Sequence, residues 1–539
     1  MDLEDRLNFE LLIRRPSGSP LYEEYLRGGD AVASFYSGAW QDPNAYRTLL
    51  EGIDVRVDAD ARRRALGALR VPEGVDHERL DRWIEERGVI VTTGQQPGLL
   101  GGPLYSLYKG ISAVRLAEQL EEVLARPVLP VFWVASEDHD WDEADHTYVI
   151  DTANELVRLE VRDPGHAHRA LHRITLGEEM AEVVEQAVQN LPVTDFSAPY
   201  VDLLREAYKP GATLADGFAE VLFSLLAPLG MCFTDAASPA VKELSGTLLQ
   251  EELERAEAHE ALLREDAEKL ESAGYTPQVP ILDGAVNLFL EGPEGRDRIY
   301  RNGKDFELRR SGESVSADAI RERAEADPLT LSPNVLLRPV VESTIFPVVS
   351  YVAGPGEAAY YAQIKRLFQA HGLMMPVIYP RHSVTVIEAK VRKRLDKFGL
   401  DLERLQRPLH EIMSDIARDE VPEGVRQALA ELKSSVARGS ADLLEAATSI
   451  DPTLRGPVTN ARNNALSAFQ AAERKIIQSV KRENEVASSQ LEVAQRHLFP
   501  DGQPQERVLA PLYYLVRYGS DFVASLAEEF TVDLARETE

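Results

Sequence analysis

Four short segments carry the residues whose types and spacing could do chemistry. In Gly94-Gln95-Gln96-Pro97-Gly98-Leu99-Leu100-Gly101-Gly102, glycines let the backbone approach an anion. The helix expected to follow offers unsatisfied N–H groups and a positive dipole end. Gln95 and Gln96 add adjacent amides suited to carboxylate and hydroxyl groups. The spacing is neither a Walker A loop nor a dinucleotide fingerprint, so a tight strand-to-helix connection explains Gly94, Gly98 and Gly102 as well as a binding turn does. The second segment runs from Glu137 to Glu143. There Asp138 and Asp140 flank His139, where they would fix its tautomer and raise its pKa, giving an acid or base near neutral pH. An acidic surface loop is the alternative. His146, and the group His166, His168 and His172, have spacings open to a metal; solvated turn histidines explain the latter group too, and no metal site is assigned.

The third segment, Gly354-Pro355-Gly356-Glu357, repeats the glycine turn ahead of a helix bearing Tyr360 and Tyr361. Upstream, Arg338 could clamp a carboxylate bidentately or close a structural ion pair. The fourth, Arg381-His382-Ser383, combines side chains that contact phosphates, and the chain returns from a helical region at His497.

These segments need strands to present them. Gly88–Thr93 and Pro127–Ala135 are apolar runs suited to strands covered on both faces, and Leu104, Leu107, Tyr108, Ile111 and Val114 keep a helical period between them. Strand, helix, strand makes a right-handed βαβ unit. Core strands resume at Met231–Asp235, Phe346–Ala353 and Pro376–Tyr379, and Ser238-Pro239 caps a long helix. Short strands are expected at 148–150, 156–161 and 173–176, and again at 280–282, 286–290, 298–300 and 306–308. The fold class is therefore α/β: a Rossmann-like parallel sheet with two inserted connecting modules and a C-terminal antiparallel helical arm. The divisions are core 1–151, first insertion 152–229, core 230–273, second insertion 274–330, core 331–387, coiled-coil arm 388–498, and a docking segment 499–539. Val458, Ala465, Phe469, Ala472, Ile476 and Val480 give the arm a narrow apolar seam that favours self-association.

A formal charge of −30 over 539 residues argues against nucleic-acid or anionic-membrane partners. No apolar run reaches the roughly 20 residues of a membrane span. The single cysteine, Cys232, lies in an apolar strand, and its solitude suits a reducing, cytoplasmic setting.

Thr93–Tyr105, Phe132–Asp140, Tyr351–Glu357, Gln505-Glu506-Arg507 and Tyr513–Gly519 together resemble the bacillithiol biosynthesis cysteine-adding enzymes, in the same order along the chain. The resemblance implies the final step of bacillithiol synthesis: joining the L-cysteine carboxyl to the amine of glucosaminyl-malate. Activating the carboxylate, a poor leaving group, points to ATP/ADP as the expected nucleotide. The need for a metal is left open, with Mg2+ beside the nucleotide as one option, and the resemblance implies a homodimer through the coiled coil. His139 or Asp138 would then deprotonate the amine, with Asp140 in the same acid/base set. Gly94, Gln95, Gln96, Gly98, Gly102, Arg338, Gly354, Gly356 and Glu357 would hold the substrates. Arg381, His382, Ser383 and His497 would hold the nucleotide near the base of the arm. The His-x-Gly-His turn and Lys-rich loop of adenylating relatives are missing, which turns the Gly94 segment toward acceptor or cysteine binding. A nucleotidyltransferase acting on another sugar or acid, and a non-catalytic coiled-coil scaffold, are the competing functions.

Overall fold

In a computed structural model, residues 8–162, 165, 168–483, 485–532, 534 and 535 are described. They form two units, one built from residues 11–386 and the segment from Gln505, the other from 8–10 and 387–504.

The first unit is organised by five parallel strands: β1 (Val89–Gln95), β2 (Val128–Val134), β3 (Cys232–Asp235), β4 (Val348–Ala353) and β5 (Val377–Pro380), in the order β5-β4-β1-β2-β3. Both faces of the sheet are covered. β2 and β4 are buried at every position, as their unbroken apolar sequences require. Register runs from Val89 opposite Val128 to Gln95 opposite Val134, and Thr92 lies opposite Tyr351 on the other flank. After β1 the chain enters α1 (Leu104–Leu124), which packs on β1 and β2. After β3, the Ser238 hydroxyl accepts from Val241 N at 3.3 Å and Pro239 opens the 34-residue α2 (Pro239–Ser272). Such a cap stabilises a helix by about 1 kcal/mol.

The insertions hold shorter sheets. His146–Ile150 pairs antiparallel with Leu156–Glu160. The strand expected at 173–176 does not form; Leu171–Arg173 is a 3-10 turn instead. Its backbone is spent elsewhere, since Leu171 N donates to Asp138 O (2.7 Å) and His172 N to Ser136 O (3.0 Å), which fastens the acidic loop. Within 274–330, Ala285–Gly292, Gly295–Asn302, Asp305–Leu308 and Ser314–Val315 join Leu331–Pro333, just past that boundary, in a five-stranded antiparallel sheet. Residues 280–282 are not a strand: Pro280 has no N–H, and the Gln363 amide takes both Val279 N (2.9 Å) and Val279 O (2.8 Å).

The second unit is helical. Val391, Leu395, Leu405, Ile412, Met413, Leu491 and Leu498 are among the residues of its apolar core. Two long helices, Glu423–Ile450 and Arg455–Glu483, form a hairpin reversed at Asp451-Pro452. Among the described residues no helix is long and apolar enough to cross a membrane.

Candidate active site

Strand order reverses between β1 and β4, because the chain runs outward through β2 and β3 before returning to the other side of β1. Parallel sheets open a crevice at the carboxyl ends of the strands flanking such a reversal. Here those ends carry Gly94-Gln95-Gln96 and Gly354-Pro355-Gly356, and a cleft of about 550 Å3 lies over them. Gly94, Gln95, Gln96, Arg338, Gly354, Gly356 and Glu357 all line it, with Asp138 and Arg381. Gly98 and Gly102 do not. Their turn is pressed against the helix Leu214–Leu226, where a Cβ on Gly102 would come within 3.1 Å of Phe218, and Gly102 holds φ +68°. The glycine requirement at Gly102 is thus steric and conformational, while Gly98, with an extended φ of −136°, is held close to the Gly102 backbone.

A buried lysine ties the two turns together. Lys109 Nζ, from α1, donates to Gly94 O (2.6 Å) and Gln95 Oε1 (3.0 Å) and pairs with Glu357 Oε2 (2.6 Å). Three contacts use the full donor capacity of an ammonium. Glu357 also accepts from Tyr351 OH (2.6 Å) and from Gly354 N (2.7 Å). Burial works to raise the Glu357 carboxyl, but Lys109 and these donors outweigh it and hold the pKa below the ordinary value. Beside this bridge, Arg338 pairs with Glu342 (3.1 Å) and reaches the Tyr360 hydroxyl (3.3 Å). Burial pushes the Glu342 carboxyl up to about 7 despite Arg338.

The acidic loop forms another wall. Asp138 Oδ1 accepts from His139 N at 2.7 Å, and Asp140 caps the short helix Trp141–Ala144 by accepting from Glu143 N (3.3 Å). Asp140 O in turn accepts from Gln96 Nε2 (3.0 Å), joining this loop to the first turn. Glu137 is buried against Lys242. Glu143 lines the cleft with its carboxyl pKa raised, by burial first and then by Asp140 and Asp138. His139 lies in an adjoining cavity of about 210 Å3 rather than in the cleft. Its electrostatics reverse the sequence expectation. Arg296 Nη1 lies 3.1 Å from Nδ1 and Arg310 Nη2 lies 3.3 Å from Nε2. Burial and these guanidinium groups lower its pKa to about 4, overriding Asp138. A neutral imidazole accepts at one nitrogen only, so one of the two arginine contacts is a hydrogen bond. His168 stands 6.3 Å from the His139 ring, His172 Nδ1 meets Ser136 O at 3.2 Å, and His166 lies outside the described residues.

Of the residues expected near a nucleotide, Arg381 reaches the cleft, held by Glu506 through Nη1 (3.1 Å) and Nη2 (2.7 Å). His382 is packed inside: Nδ1 meets Ser112 Oγ (2.9 Å), Nε2 meets Thr531 O (2.8 Å), and the ring stacks on Phe530. Burial first, then Arg15, lowers its pKa to about 3. Ser383 is 4% exposed. His497 belongs to the helical unit, where Nδ1 lies 3.2 Å from Glu388. Cys232 is buried, and burial pushes its thiol up to about 12, so no thiolate forms there near neutral pH.

The profile described as the N-terminal Rossmann-like domain of the bacillithiol biosynthesis protein BshC matches residues 9–382, and that of its C-terminal coiled-coil domain matches 384–533. The chain belongs to the BshC family. A relative from Salinibacter ruber is 33% identical over 521 residues, covering 95% of this chain and 94% of its own. Relatives from Solibacter usitatus (30% over 530 residues, 96% of each chain) and Bacillus mycoides (30% over 453 residues, 83% of each) are similar too. All three carry the name "Putative cysteine ligase BshC".

The cleft of this family member also contains Lys109 and Arg296, neither singled out from the sequence, and Arg507, named there only as part of a motif. Lys109 had a signal, since a lysine amid the buried face of a helix that follows a glycine turn needs a partner. Arg296 had none. It lies on an inserted strand and reaches Ser332 Oγ (2.9 Å) and Pro333 O (2.7 Å) only through tertiary packing.

Proposed function

We propose that this chain joins the carboxyl group of L-cysteine to the amine of glucosaminyl-malate, closing bacillithiol synthesis with consumption of ATP. The observation that carries the reading is the charge arrangement of the switch-point cleft. Arg296, Arg338, Arg381, Arg507 and Lys109 face one space of about 550 Å3 together with Asp138 and Glu143. That volume suits a metabolite-sized ligand. Its guanidinium groups match the carboxylates of malate and cysteine, and its carboxylates match an ammonium group.

Gln95, Gln96 and Arg338 hold hydroxyl and carboxylate groups on the floor, and the Lys109–Glu357 bridge keeps the two turns in register. Of the acidic loop, Glu143 is the better proton acceptor, because its raised pKa lies closer to neutrality, and Asp138 orients the ammonium beside it. His139 stays neutral and positions Arg296. Carboxylate oxygen is a poor leaving group, so ATP would supply the activation, and Arg381 and Arg507 would present cationic groups to its phosphates, any accompanying Mg2+ adding charge there. The amide C–N bond then forms, the activating group departs with one carboxyl oxygen, and the amine proton passes to Glu143.

The same reading includes a homodimer through the helical hairpin. Leu432, Leu443 and Ile450 are 48%, 55% and 82% exposed, and Ala447 is the one buried residue of their helix. Self-association covers that apolar row. Incubation with cysteine, glucosaminyl-malate and ATP, read by mass spectrometry, tests the function. The amide product supports it, a nucleotidylated sugar or acid indicates the nucleotidyltransferase reading, and an unchanged mixture indicates the scaffold.

A further inference from the structure

Away from the cleft, three side chains that the proposed reaction does not use meet inside the first unit. Glu252 and His259 stand two turns apart on α2, and His371 follows the helix Lys365–Ala370, which packs against α2. A carboxylate oxygen and one ring nitrogen from each histidine all lie within 4.8 Å of one another. The Glu252 and His259 side chains are 0% exposed and that of His371 is 2% exposed.

Hydrogen bonding satisfies only part of this group. Glu252 Oε2 meets His259 Nδ1 at 2.5 Å, while Oε1 accepts from Asn287 Nδ2 (2.9 Å) and Asn287 N (3.3 Å). Among the described residues, His259 Nε2 and both nitrogens of His371 have no hydrogen-bond partner. A buried polar atom left without a partner is destabilising, so such groups are rarely left unpaired. His371 Nε2 instead faces Glu252 Oε2 at 3.9 Å, with Nδ1 3.8 Å from Glu251 Oε2. Orphaned imidazole nitrogens converging on a fixed carboxylate are what a metal ion completes.

We propose that Glu252, His259 and His371 form a structural site for a divalent transition-metal ion of the zinc class. Two imidazoles and a carboxylate suit Zn2+, whereas Ca2+ and Mg2+ take oxygen ligands. Tetrahedral bonds of about 2.0–2.1 Å bring donor atoms to about 3.3 Å from one another, a rotamer-scale closing of the present group. Water or Glu251 supplies the fourth ligand. Asn287 orients the carboxylate from outside, and its Oδ1 accepts from Asn334 Nδ2 at 3.0 Å. Asn334 lines the cleft, so the ion braces one cleft wall through Glu252, Asn287 and Asn334.

The test uses the full-length protein stripped with a chelator and titrated with Co2+, read by its ligand-field absorption and by calorimetry, then with Zn2+ in competition. The expected result is one ion per chain with four-coordinate cobalt bands, a raised thermal midpoint on loading, loss of the bands in His371→Gln, and affinity weakened about 10–100-fold in Asn287→Ala. Failure of the wild-type protein to take up Co2+ or Zn2+ stoichiometrically overturns the proposal, and so does a His371→Gln protein that binds as the wild type does. Should that variant not fold, His259→Asn is compared in its place, and the wild-type titration still decides.

Discussion

Replacing Lys109 with Met removes one charge from the centre of the site while keeping most of the side chain's unbranched apolar stem. In the folded protein Lys109 is 3% exposed and holds Glu357, Gly94 O and Gln95 Oε1 at once. The variant leaves Glu357, 21% exposed, with Tyr351 and Gly354 N as its remaining donors, and strands two acceptors on the β1 turn. Breaking a buried pair by deleting one partner costs about 3–5 kcal/mol. Pairing the change with Glu357→Gln removes the uncompensated carboxylate, so a double-mutant cycle should return a coupling of about 1.5–3 kcal/mol. All four tryptophans (40, 83, 133 and 141) lie in the first unit, so urea unfolding followed by tryptophan fluorescence reports on that unit. Turnover should fall with it: a displacement of about 1 Å between the turns costs on the order of 100-fold in kcat/KM. A stability loss below about 1 kcal/mol, or zero coupling to Glu357, refutes the claim that this lysine joins the two halves of the cleft.

Glu143→Gln should lower kcat by about 100- to 10,000-fold with KM for cysteine little changed, and a steady-state comparison with wild type checks it. Glu342 gives a pH signature: its carboxyl is raised to about 7, so above the unfolded value of about 4.3 the native state keeps a proton that the unfolded chain has lost. Its contribution to stability is therefore present below about pH 4 and lost as pH rises through 7, on the order of 3 kcal/mol, and urea midpoints of Glu342→Gln against wild type should diverge across that window. Leu443→Glu should yield monomers with the first unit intact, read by light scattering during gel filtration; an unchanged dimer removes the hairpin from the interface.

The parallel core was legible because each strand is an apolar run next to a turn, and the glycine turns at Gly94 and Gly354 marked where the strands end. Their meeting across one cleft followed from strand order, which periodicity does not encode. The acidic loop was visible as composition, but the behaviour of His139 was not. Local carboxylates predicted a raised pKa, whereas burial first, and then Arg296 and Arg310 from a segment far along the chain, lower it. Gly102 lies outside the cleft in a binding-like sequence, packed against Phe218 of Leu214–Leu226. The metal cluster stayed hidden because Glu252 and His259 blend into a long charged helix and His371 is more than 100 residues away in sequence.

Cysteine labelled with oxygen-18 in both carboxyl oxygens tests the central claim most directly. Supplied with glucosaminyl-malate and ATP, the protein should form the cysteinyl amide with one label retained and the second transferred to the product derived from ATP. An amide that forms without label in any ATP-derived product, or no amide at all, contradicts carboxyl activation by this enzyme.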